Sequence, residues 1–115
     1  MPKDTNAAGS IFGGIILSYI DLAAVVEAQK LNPRPRFVTV AMDQIVFHEP
    51  VFVGDLVSFY TKLVKVGRTS VTVDVDVVAQ RRHDPSQEVQ VTEARVVYVA
   101  VDEDRRPIPI QSVGE

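Results

Sequence analysis

The stretch Asn6-Ala7-Ala8-Gly9-Ser10-Ile11-Phe12-Gly13-Gly14-Ile15-Ile16-Leu17-Ser18-Tyr19-Ile20-Asp21 sets a side-chain amide, a glycine pair and a single carboxylate within one apolar run. Ser10 predicts an N-cap, and the helix is expected from about Ile11 to Lys30. Glycines at a helix start would bring bare backbone N–H groups close to a ligand, where the helix dipole favours negative charge. A carboxylate inside an otherwise apolar helix is costly unless it is partnered or functional. Together these residues predict a site that polarises a carbonyl and attacks it with Asp21 or with a water that Asp21 activates.

Outward from that stretch, the bulky residues Ile11, Phe12, Ile15, Ile16, Leu17, Tyr19, Ile20, Leu22, Val25 and Val26 cover more than one stripe. Such a helix is expected to be covered on several sides. Asn32-Pro33-Arg34-Pro35 ends it, because proline neither donates to nor follows a helical turn comfortably. Strands are predicted at Phe37 to Phe47, Leu56 to Val66, Arg68 to Arg81 and Val89 to Val101. In the third, Val71, Val73, Val75 and Val77 alternate with Thr72, Asp74 and Asp76, so one face is buried and one wet. Arg105 to Glu115 reads as an extended tail. Short connections require antiparallel pairing. The fold class is therefore α+β, one long helix wrapped by a curved antiparallel sheet, in a single domain over residues 1–115.

Composition narrows the function. With 115 residues, 46% hydrophobic and 23% charged, the chain can bury a core and is not disordered. A net charge of -3 gives no reason to expect nucleic-acid binding. No cysteine is present, which excludes disulfides, thiolate metal sites and a cysteine nucleophile and fits a cytoplasmic setting. The N-terminus lacks the order of a secretory signal, and Ile11 to Val26 is too short, with Asp21 inside it, to span a membrane. No metal site is expected: His48 reads as structural, Asp74 and Asp76 as solvated, and Glu27 as a solvated helix end. Asp21 could bond Ser18 one turn back instead of acting chemically, and Asn6 could merely organise a turn.

The segments Asp4 to Gly14, Ile20-Asp21-Leu22-Ala23-Ala24, Phe47 to Asp55, Lys65 to Ser70 and Thr92 to Asp102, in that order, resemble the hotdog-fold acyl-coenzyme A thioesterases, particularly the YciA-type acyl-CoA hydrolases. The likeness covers nearly the whole chain. It implies hydrolysis of acyl-CoA to a free acid and coenzyme A, with no cofactor beyond the coenzyme A carried by substrate and product. It implies homodimers joined sheet edge to sheet edge, often assembled further into hexamers as trimers of dimers, with the active site at the dimer interface. Asp21 would be the functional carboxylate and Asn6 the partner amide from the opposite subunit, with the Gly13–Gly14 amides polarising the thioester. Gly67, Arg68, Thr69 and Ser70 would lie near the coenzyme, and Ile15, Tyr19, Phe47 and Phe59 would shape the acyl pocket. A module that binds acyl-CoA without cleaving it would use the same groove. A dehydratase of this fold would need a histidine on the helix, which is lacking, and a cone-shaped ligand-binding domain would need more helices.

Overall fold

In the computed structural model, residues 3–110 are described, with their side chains from residue 13 onward. The order is one helix, α1 (Lys3–Gln29), then four strands: β1 (Arg36–Phe47), β2 (Leu56–Val66), β3 (Ser70–Gln80) and β4 (Glu88–Val101). The strands form one antiparallel sheet in the order β1-β4-β3-β2, so β1 and β2 are its edges among the described residues. The helix lies on one face and touches all four strands.

The strand periodicity translates directly into the core. Val71, Val73, Val75, Val77 and Ala79 of β3, with Ala94, Val96, Tyr98 and Ala100 of β4, point at the helix and are buried. From the helix, Ile16, Ile20, Ala24 and Ala28 meet them, four residues apart along one stripe. Burying Ile16 and Ile20 contributes about 1.5–3 kcal/mol each. Register shifts at Thr39/Ala41 and Asp43/Val46 in β1, Leu63/Lys65 in β2 and, opposite Val77/Val78, at Val91 in β4 mark β-bulges, which bend the sheet and raise its twist.

Several expectations change. The helix begins at Lys3, so Ser10 lies inside it and does not cap it. Ala7 and Ala8 are strong helix formers, and the only proline of that stretch, Pro2, precedes the helix. Among the described residues the helix is also covered on one side only: Ile15, Tyr19, Leu22 and Val26 remain exposed. The tail, described to residue 110, is anchored to the rest of the chain. Pro107 bridges back to Val101, and Ile110 is buried where Asn32 Nδ2 donates to its carbonyl at 2.8 Å. Asp74 is not simply solvated, because Arg95 grips its carboxylate through two hydrogen bonds at 2.7 and 3.0 Å.

Candidate active site

Asp21 sits past the middle of α1, half-buried, on the flank that faces β1. Its carboxylate oxygen Oδ1 accepts two hydroxyl hydrogen bonds. Thr39 Oγ1 donates at 2.9 Å and the Tyr98 phenol at 2.7 Å, and the same phenol lies 2.7 Å from the Asp21 backbone carbonyl. Thr39 and Tyr98 face each other across the β1–β4 pairing, so two neighbouring strands present their hydroxyls to one carboxylate. The bulge that follows Thr39 shifts the register of β1 just where it meets the helix. No Lys, Arg or His pairs with Asp21 among the described residues. Ser18, the alternative partner, takes no part in these bonds.

Neither Thr39 nor Tyr98 was singled out by sequence. Threonine is an ordinary strand former, and a tyrosine at an inward strand position reads as core. The one available signal was the rule that a buried tyrosine needs a partner for its hydroxyl. Tyr98 is only 1% exposed. Burial first, and then the adjacent Asp21 carboxylate, pushes its phenol well above the ordinary value of 10.0, so it stays a neutral donor.

Gly13 and Gly14 are not at the helix start. Within a continuous helix their N–H groups bond to carbonyls one turn back, which removes the bare amides expected there. Gly14 is nevertheless notable. Among the described residues, a Cβ built on it would meet no atom within 4 Å, whereas one on Gly13 would touch the Phe47 ring at 3.8 Å. Gly14 precedes Asp21 by seven residues, about two turns, so the two share a face roughly 10 Å apart. The side chain of Asn6 lies outside the described residues.

Gly67 to Ser70 forms the tight turn between β2 and β3, closed by Gly67 N–H donating to the Ser70 carbonyl at 2.8 Å. The carbonyls of Arg68 and Thr69 accept from Ile110 and Ala100 at 2.9 and 2.8 Å, which fixes the turn and leaves the Arg68 side chain exposed. An apolar cleft of about 370 Å³ is lined by Ile15, Ile16, Tyr19, Val51, Val57 and Phe59, with the Tyr19 and Phe59 rings 5.9 Å apart. Three of the four residues expected around the acyl pocket are thus together. Phe47 is the exception: it packs beside Gly13, and the cleft opens toward β2, on the opposite flank of the helix from Asp21. Glu27 is no solvated helix end, since it accepts from Thr61 Oγ1 at 3.1 Å and pairs with Lys30 at 3.3 Å. His48 pairs with Glu93 at 2.7 Å, in keeping with a structural role.

Known proteins match this chain over almost its full length. A sequence model described as the thioesterase superfamily matches residues 8–86. The acyl-CoA thioester hydrolase YciA of Salmonella typhimurium is 42% identical over 116 residues, covering 99% of this chain and 86% of that protein. A hexameric hotdog-fold thioesterase of Campylobacter jejuni superposes with a TM-score of 0.80 at 51% identity, covering 95% of this chain and 83% of the other. A hexameric broad-specificity acyl-coenzyme A thioesterase superposes with a TM-score of 0.81 at 38% identity, covering 96% and 75%.

Proposed function

The chain belongs to the thioesterase superfamily, and from that premise we propose that it is an acyl-CoA thioester hydrolase that works through Asp21. The observation that carries the site is the Asp21 carboxylate, held through Oδ1 by two hydroxyls while Oδ2 takes no hydrogen bond among the described residues. A carboxylate fixed at one oxygen and open at the other suits a general base. Oδ2 takes a proton from water as the water oxygen attacks the thioester carbon. The tetrahedral intermediate then expels the coenzyme A thiolate, which recovers the proton.

The thioester oxygen needs donors as charge builds on it. With the Gly13 and Gly14 amides inside the helix, the Asn6 carboxamide of a second copy is the donor we assign, and Gly14 leaves the approach to Asp21 clear. Arg68, exposed on its fixed turn with Gly67, Thr69 and Ser70, suits a phosphate of the coenzyme, which its planar guanidinium can grip in bidentate fashion.

A site shared between copies requires an oligomer. The hexameric state of the similar thioesterases favours one, as do the exposed Tyr19, Leu22, Val26, Val40 and Phe47. The free edge of β1 is the edge beside Asp21, so dimers paired along it, three to a hexamer, are the assembly we infer. No described helix is long and apolar enough to cross a membrane, and the cysteine-free composition suits the cytoplasm.

Cleavage, as opposed to binding alone, is favoured by the likeness to an acyl-CoA thioester hydrolase and to a broad-specificity acyl-coenzyme A thioesterase. Thiol release from a panel of acyl-CoA esters tests it. Asp21→Asn, which preserves size and hydrogen bonding, is expected to lower kcat by about 10²–10⁴-fold. Wild-type turnover in that variant would refute the assignment, and binding without thiol release by the unaltered protein would favour the non-catalytic module.

A further inference from the structure

We propose that Tyr98 is a positioning residue for hydrolysis, its buried hydroxyl pinning Oδ1 of Asp21 so that Oδ2 alone faces the reacting water. The proposal rests on the reading of Asp21 as the base. It starts from an oddity of β4. Between Ala94 and Ala100 the inward row of β4 is apolar except at one atom, the Tyr98 hydroxyl, which meets the helix at Asp21. Placing a hydroxyl there is unfavourable unless it finds a partner. A phenylalanine would fill the same volume without that requirement.

The partner is specific. The phenol has one proton and two acceptors at equal distance, the carbonyl and the carboxylate of Asp21, both at 2.7 Å. The carbonyl already accepts from the helix N–H one turn ahead. An ionised carboxylate is the stronger acceptor, so the proton goes to Oδ1. Thr39 also donates to Oδ1, but from an exposed edge strand, whereas Tyr98 stands in an interior strand and is fixed on both sides. With Oδ1 held from two directions, rotation of the carboxylate about its last bond is blocked. Such second contacts fix a reactive group within the fraction of an ångström that proton transfer requires.

The test compares wild type, Y98F, D21N and the Y98F/D21N double variant, by steady-state thiol release from one acyl-CoA ester and by thermal unfolding. Y98F is expected to lower kcat about tenfold, the worth of one hydrogen bond to a charged group, with KM unchanged. In the D21N background the same substitution is expected to have no further effect on kcat, since there is no base left to orient. A general structural defect would instead lower both backgrounds alike and shift KM. If D21N is crippled while Y98F turns over as wild type does, or if Y98F slows the D21N background equally, the role given to Tyr98 is wrong and that of Asp21 stands. Wild-type turnover in D21N would overturn both. Unfolding that shows Y98F does not fold would make the hydroxyl structural and also overturn the proposal.

Discussion

Glycine in a helix interior is less stable than alanine by about 1 kcal/mol. At Gly14 nothing among the described residues offsets that loss, because none of them fills the space a Cβ would occupy. That space lies on the face that carries Asp21, where a thioester or a second copy would approach under the proposed function. Gly14→Ala is therefore expected to raise the thermal midpoint by about 4 °C while lowering kcat/KM. A midpoint that rises with activity intact would leave the glycine unexplained. Residue types at this scale were unevenly legible. Asp21 stood out because a lone carboxylate in an apolar run is conspicuous. Thr39 and Tyr98 did not, because their meaning lies in pairing across β1 and β4, and no local pattern records which strands are neighbours.

Elements were more legible than their ends. The predicted limits of β2 coincide with Leu56–Val66, where turn residues flank a β-branched run, and the alternation in β3 reproduces its buried and wet faces. The helix start was misplaced because a serine before an apolar run has the form of a cap whether or not helix precedes it. Between β1 and β2, the connection is held by one buried cluster. Arg81, just past the end of β3 and next to the start of β2, donates to Asp55 at 2.6 Å and to the Pro50 carbonyl at 3.0 Å, and its guanidinium lies 4.6 Å from the Phe52 ring centre. The Asp55 side chain is 2% exposed, and the Phe52 N–H, with Arg81 and the Arg82 N–H, holds its carboxyl below the ordinary 3.8. A carboxyl depressed by folding stabilises the native state fully above its unfolded value and loses that contribution as pH falls through the folded one. The stability gap between wild type and Asp55→Asn is thus expected to be wide at pH 7 and to close below about pH 4. Thermal unfolding at the two pH values checks this, and a gap of constant width would remove Asp55 from the account of acid stability.

At the scale of the whole molecule, the single chain has an unfinished surface. One stripe of α1 is buried, and large apolar side chains remain exposed along its other flanks and along both edge strands. The sequence signalled this indirectly, since a helix apolar on nearly all sides needs more cover than one four-stranded sheet provides. Geometry distinguishes the two edges. β2 borders the apolar cleft, whereas β1 carries Thr39 and hence borders Asp21. A two-fold pairing along β1 would bring each Asp21 toward its neighbour's helix and create two equivalent sites. If each site draws Asp21 from one copy and Asn6 from the other, two defective proteins can repair one another. Asp21→Asn and Asn6→Ala chains, unfolded together and refolded as a mixture, would place both lesions in one site of a mixed dimer and leave its second site intact. With random pairing half the dimers are mixed and half their sites work, so the mixture is expected to recover about a quarter of wild-type turnover per chain. Separately refolded controls, combined afterwards, should show only the average of the two variants. Activity no greater than that average in the co-refolded sample would mean that Asp21 and Asn6 act within the same copy, and the shared site would have to be abandoned.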